Sequence, residues 1–150
     1  MTRICILSDT HGLLRDEVKA EIIQSDIVIH AGDIDTAAAL ETLEQLGDLR
    51  AVRGNTDRFG AERLPRTLVL RVEDVRFLIV HDQKEVPKDL ADIDVVVCGH
   101  SHQYAAERRG GVLYLNPGSC GRKRFNLELT MMILTIQDQK LQVERIDLSR

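Results

Sequence analysis

Short apolar runs alternate with polar, turn-forming segments along the whole chain. Ile4-Cys5-Ile6-Leu7 is unbroken, the pattern of a strand buried on both faces, and Leu14, Val18 and Ile22 follow at helical spacing. Ile27-Val28-Ile29 predicts a second strand. Asp35 or Thr36 can then cap a helix carrying Leu40, Leu43 and Leu46, with Gly47 placed to end it, and Leu49 to Val52 predicts a third strand. Serial units of this kind favour parallel strands joined by right-handed crossovers, so their carboxyl ends share one edge.

From Pro65 onward the chain becomes strand-rich. Leu68-Val69-Leu70 and Phe77-Leu78-Ile79-Val80 predict a strand pair, and Val95-Val96-Val97 a further buried strand. Gly110-Gly111 separates Tyr104–Arg109 from Val112–Leu115 as a hairpin turn should, and two more strands are expected at about Leu127–Ile136 and Leu141–Leu148. Together the halves predict an α/β fold of two packed mixed β-sheets flanked by helices, a four-layer α-β-β-α sandwich. One domain over residues 1–150 is expected, with no internal repeat, low-complexity tract or linker.

Composition narrows the function classes. The chain is 43% hydrophobic and 29% charged, and its few aromatics leave aliphatic side chains to fill the core. A formal charge of -4 gives no field that would hold a polyanion, which disfavours bulk nucleic-acid binding. Cys5, Cys98 and Cys120 are odd in number and widely separated, reading as reduced thiols. The first apolar run is too short for a signal peptide and no stretch approaches a membrane span, so a cytoplasmic location away from membranes is expected.

The candidate chemistry lies just after the strands: Asp9-Thr10-His11, Gly32-Asp33, Gly54-Asn55, His81 and Gly99-His100-Ser101-His102. Singly, each has an ordinary reading. Asp9 and His11 serve equally as loop caps, Gly32-Asp33 and Gly54-Asn55 are common turn dipeptides, and His81 could be a hydrogen-bonded rim residue. The His-x-His pair between small residues reads equally as a metal site or as a loop. A sheet whose strands end at one edge would bring all of them to one crevice, where oxygen and imidazole donors without thiolate suit borderline divalent ions.

In this order, Asp-x-His, Gly-Asp, Gly-Asn, His and Gly-His-x-His resemble the motif set of the calcineurin-like metallophosphoesterase superfamily. Leu7-Ser8-Asp9-Thr10-His11-Gly12, Val28-Ile29-His30-Ala31-Gly32-Asp33, Val52-Arg53-Gly54-Asn55-Thr56-Asp57 and Asn116-Pro117-Gly118-Ser119 look like its small bacterial and archaeal phosphodiesterase branch. The likeness runs from about Ile4 to Ser119. It implies a dinuclear-metal-dependent phosphodiesterase. Asp9, His11 and His102 would bind one metal, Asn55, His81 and His100 the other, and Asp33 would bridge them. Two divalent ions are implied, Mn first, with Ni, Fe, Co or Zn suiting the same donors.

The implied reaction is attack of a metal-held hydroxide on a small or nucleotide-like phosphodiester, with Asp33, Asn55 and His100 as the catalytic set. The alternative is a protein-interaction scaffold similar to the retromer vacuolar sorting subunit, which shares the fold. Every ligand position here keeps a competent side chain, which favours catalysis. Partners expected are a small phosphoester and, through an exposed strand edge or apolar patch, a second copy of the chain that could form a homo-oligomer.

Several positions depart from the family or stand apart from its ligands. Many members carry a histidine after Gly-Asn; here it is Thr56, far too weak an acid to replace imidazole. His81 is followed by Asp82 instead of glycine, and the added charge would disfavour a phosphate dianion more than a diester monoanion, although a solvent-facing aspartate is the simpler reading. Arg122-Lys123-Arg124 reads as a solvated basic loop or as a phosphate-steering element. Asp57 reads equally as a ligand-orienting acceptor or a turn cap, His30 as a buried packing or hydrogen-bonding residue, and Cys120 as incidental.

Overall fold

The computed structural model describes residues 1–57, 63–122 and 127–148. Strand β1 (Thr2–Leu7), helix α1 (Asp16–Ile23), β2 (Ile27–His30), α2 (Ala37–Leu46) and β3 (Leu49–Ala51) form the strand-helix series that the first half predicts. The strand-rich half follows as β4 (Thr67–Val72), β5 (Val75–Val80), a 3-10 turn (Gln83–Glu85), β6 (Val95–Val97), β7 (Ala105–Arg109), β8 (Val112–Asn116), β9 (Thr130–Gln137) and β10 (Lys140–Asp147).

Two five-stranded mixed sheets result. The first has the order β10-β9-β1-β2-β3 and the second β4-β5-β6-β8-β7. Strands β1, β2 and β3 run parallel, as do β5, β6 and β8, while the remaining neighbours are antiparallel. Each parallel set ends on the same kind of loop, and those loops carry the candidate chemistry.

The period-2 alternation of strand side chains divides the core. Ile4, Ile6 and Ile29 meet Phe77, Ile79, Val95 and Val97 between the sheets. Cys5, Leu7 and Val28 point the other way, onto Val18 and Ile22 of α1 and Leu40 and Leu43 of α2. The outer face of the second sheet, Leu78, Val80, Val96 and Cys98, is covered by Val86, Leu90 and Ile93. The outer layer is thus helical on the first sheet and, on the second, one 3-10 turn with an irregular segment.

Element ends follow local chemistry. Helix α1 begins after Arg15, which makes no side-chain cap, and Asp16 and Glu17 complement the positive end of the helix instead. At α2 the cap is Thr36, whose hydroxyl accepts from Ala39 N at 3.1 Å. Asp35 is thereby released for another task. Gly47 ends α2 in extended backbone, and it is glycine for space: a Cβ there would lie 3.0 Å from Val28 Cγ2.

Candidate metal centre

The loops after β1 and β2 are tied together before any side chain is considered. Asp9 N–H donates to Gly32 O at 3.0 Å, His11 N–H to Asp33 O at 2.9 Å and Gly12 N–H to Ile34 O at 2.9 Å, extending the parallel pairing past the strands. Gly99 N–H donates to His81 O at 2.9 Å in the second sheet. Three loops share a backbone pattern: Asp9 and His11, Asp33 and Asp35, and His100 and His102 all have positive φ, between 48° and 80°. Aspartate and histidine adopt this region more readily than most residues.

Close approach of the loops requires glycine at several positions, Gly54 and Gly99 among them. A Cβ on Gly99 would collide with Ser8 Oγ and lie 2.8 Å from Asp9 Oδ2, and one on Gly54 would collide with Asp33 Oδ1 and its backbone nitrogen.

The structure brings all seven predicted ligand residues together. The potential ligand atoms of Asp9, His11 and His102 lie within 4.8 Å of one another, and so do those of Asp33, His81 and His100. Asp33 Oδ2 stands between the groups, 3.7 Å from His11 Nε2 and 3.2 Å from His81 Nε2. Asn55 Oδ1 lies 2.9 Å from His81 Nε2, and His100 Nδ1 lies 3.3 Å from the same nitrogen. Asn55 and His100 are exposed and the other five are not, so the crevice opens on their side.

Hydrogen bonds behind these side chains fix which atoms face inward. Asp9 Oδ2 accepts from Ser8 Oγ at 2.7 Å and His100 N–H at 3.0 Å, leaving Oδ1 toward the crevice. His81 Nδ1–H donates to Ala31 O at 2.7 Å and His11 Nδ1–H to the Asp35 carboxylate at 3.1 Å, which turns both Nε2 atoms inward. Asp9 Oδ1 and His11 Nε2 are buried and have no hydrogen-bond partner. Orphaned buried acceptors converging on one point are what a cation requires.

The electrostatics agree. Burial alone would lower the His81 pKa, but the hydrogen bond and charge of Asp33, with the charge of Asp9, raise it to about 9. Burial opposes ionisation of Asp33, yet the His81 hydrogen bond and charge, with the Thr56 N–H, hold it well below the usual carboxylate range. Without a metal, a proton on His81 supplies the positive charge that this donor set demands.

Two residues beyond the predicted ligands organise the site. Asp57, buried, accepts from Asp33 N–H at 2.8 Å, Gly54 N–H at 2.9 Å and Asp35 N–H at 2.7 Å, so it orients backbone, not a ligand histidine. Asp35, read from sequence as a possible helix cap, supports His11 instead. The sequence signal for it was the shared i, i+2 spacing of Asp33-x-Asp35 with Asp9-x-His11 and His100-x-His102. His30 is fully buried, its Nδ1 accepting from Gly32 N–H and its Nε2–H bonding Thr10 Oγ1, both at 3.0 Å. Desolvation lowers its pKa to about 4, keeping it neutral and structural.

The departures are also placed. Asp82 caps the 3-10 turn through Lys84 N–H at 3.0 Å and brings Oδ2 to 3.8 Å from His100 Nε2, beside the crevice. Arg122 donates to His11 O at 3.3 Å, whereas Lys123 and Arg124 lie outside the described residues. Cys5, Cys98 and Cys120 are free and buried, and desolvation raises all three thiol pKa values. Asn116 donates to Gly99 O and Ser101 Oγ, both at 3.1 Å, and Ser119 Oγ to Asp9 O at 3.0 Å, so the Asn-Pro-Gly-Ser stretch buttresses the ligand loops.

Comparison with known proteins agrees with this geometry. The family model described as calcineurin-like phosphoesterase superfamily domain matches residues 2–139. A phosphodiesterase of Methanocaldococcus jannaschii is 30% identical, the match covering 79% of this chain and 84% of its own. Among solved structures, an archaeal phosphodiesterase superimposes with a TM-score of 0.79 at 26% identity, covering 97% of this chain and 99% of its own. Vps29 of Chaetomium thermophilum gives 0.78 at 16% identity over 99% and 97%, a likeness of fold.

Proposed function

The chain belongs to the calcineurin-like phosphoesterase superfamily, and on that premise we propose that it is a dinuclear-metal-dependent phosphodiesterase, one domain over residues 1–150, acting on a small or nucleotide-like diester. The observation that carries the reading is the pair of orphaned buried atoms, Asp9 Oδ1 and His11 Nε2, within a crevice that holds seven oxygen and nitrogen donors. Asp9, His11 and His102 would hold one ion, Asn55, His81 and His100 the other, with Asp33 shared between them. Manganese is the ion proposed from family likeness, with Ni, Fe, Co and Zn suiting the same donors. Such a pair, when bound, supplies Lewis acidity that eases deprotonation of water and draws charge from phosphoryl oxygens.

The side chains have distinct parts in this scheme. Asn55 and His100, exposed at the opening, meet the phosphoester as it enters. Asp33, held as a carboxylate by its donors, maintains the spacing of the two groups. Asp82 adds negative charge behind His100, which disfavours a monoester dianion more than a diester monoanion. The scaffold reading has the Vps29 likeness behind it, but retention of every ligand position argues for catalysis. Among the described residues no helix is long and apolar enough to cross a membrane, and three free buried thiols support a reducing, cytoplasmic setting.

The test is metal analysis of the purified protein together with Mn-dependent cleavage of a bis-aryl phosphate. The protein should bind two equivalents and turn over, and Asn55→Ala and His81→Ala should lose about 100-fold or more in kcat/KM. Absence of both metal and metal-dependent turnover would sink the enzyme reading. Monoester cleavage far faster than diester cleavage would overturn the substrate class.

A further inference from the structure

Thr56 occupies the position where many family members carry a histidine, and its surroundings assign it a different task. Its N–H donates to Asp33 Oδ1 at 3.0 Å, and its hydroxyl donates to Asp35 Oδ1. The same Asp35 carboxylate accepts His11 Nδ1–H, at 3.1 and 3.2 Å to its two oxygens. Asp35 is itself held through its N–H on Asp57 Oδ1 at 2.7 Å. One residue from the loop after β3 thus touches the carboxylate between the two ligand groups and, through Asp35, a histidine of the first group.

We infer that Thr56 and Asp35 are positioning residues that fix the tautomer and aim of His11, linking the two halves of the metal centre, and that Thr56 gives no proton to a leaving group. The inference rests on the metal-centre reading above. Its physical basis is that the threonine O–H carries one hydrogen, which is committed to Asp35 and is not free for a departing oxygen. With Asp35 held from the Thr56 side, its carboxylate favours His11 protonated at Nδ1, leaving Nε2 to ligate. The loop position occupied elsewhere by an acid here stiffens a ligand.

The experiment is calorimetric titration of apoprotein with Mn2+ for wild type, Thr56→Val, Thr56→Ser and Asp35→Asn. It is paired with turnover of bis-aryl phosphates whose leaving phenols span a wide range of acidity. Thr56→Val and Asp35→Asn should weaken Mn2+ binding by about 10-fold or more, and Thr56→Ser, which restores the hydroxyl, should recover most of the loss. At saturating Mn2+, Thr56→Val should lose the same factor for every leaving group. Melting in chelator, unchanged between wild type and Thr56→Val, separates positioning from a general loss of fold.

Unchanged Mn2+ affinity in Thr56→Val, failure of Thr56→Ser to recover it, or a deficit that grows with the leaving group's basicity would each overturn the inference. Wild-type protein that binds Mn2+ but cleaves no diester would refute the proposed activity instead. The titrations of the three variants would still decide the positioning role.

Discussion

Replacing Asp57 by alanine is expected to be among the most destabilising single changes in the ligand loops. Asp57 is 4% exposed and accepts three backbone N–H groups, from Asp33, Asp35 and Gly54, at 2.7 to 2.9 Å. A hydrogen bond to a charged acceptor contributes about 1.5 kcal/mol or more, and a buried donor left unpaired costs a similar amount. If water reaches the vacated space and rescues part of this, the net loss should be about 4 kcal/mol. For a urea slope of about 2 kcal/mol/M the midpoint then falls by about 2 M. Asp57→Asn keeps one acceptor oxygen but turns an NH2 toward a backbone N–H, and should lose about half as much. The assay is urea unfolding in chelator, which keeps metal linkage out of the difference. A shift below about 0.5 M for the alanine variant would refute the claim that this side chain holds the loops after β2 and β3 together.

Gly99→Ala should cost about 2 kcal/mol and at least tenfold in Mn2+ affinity, because its Cβ collides with Ser8 Oγ behind Asp9. Gly110→Ala meets nothing within 4 Å and should cost only about 1 kcal/mol, from its φ of +55°, with affinity unchanged; equal affinities for the two variants would contradict the packing argument. The unfolded chain protonates His30 near pH 6.5 while the folded protein resists until about pH 4, so stability should fall by about 3 kcal/mol as pH drops through that window. Comparing wild type with His30→Gln isolates this contribution, and parallel stability curves would count against it. Mn2+ at about 100 times its dissociation constant should add about 2.7 kcal/mol, or roughly 5 to 10 °C in Tm, and Asp9→Ala should abolish the gain in a melting scan.

The elements most legible in the sequence are those whose cause is local. Ile4–Leu7 and Val95–Val97 are continuous apolar runs, and both form strands buried on their two faces. The ligand residues were legible because each follows such a run, where topology leaves it only one edge to occupy. The layer over the second sheet was not, since Val86, Leu90 and Ile93 carry apolar cover without helical geometry. The actual partners of Asp35 and Asp57 are not legible in the sequence, because they are a ring nitrogen and backbone amides, 22 to 24 residues away in sequence for His11, Asp33 and Asp35. No periodicity encodes such contacts.

That division has an energetic counterpart. Six non-glycine residues of the site loops hold left-handed backbone, each at a cost of about 1 kcal/mol, and two orphaned acceptors add a further penalty. The apoprotein therefore carries several kcal/mol of unfavourable free energy in these loops, offset by Asp57, by the paired loop backbones and by the sandwich beneath them. A cation reaching the crevice meets donors already oriented and removes part of that penalty as it binds. Stabilisation by metal and precision of the ligand loops are thus two expressions of one coupling, and a variant that relaxes the loops should gain stability without metal while losing affinity for it.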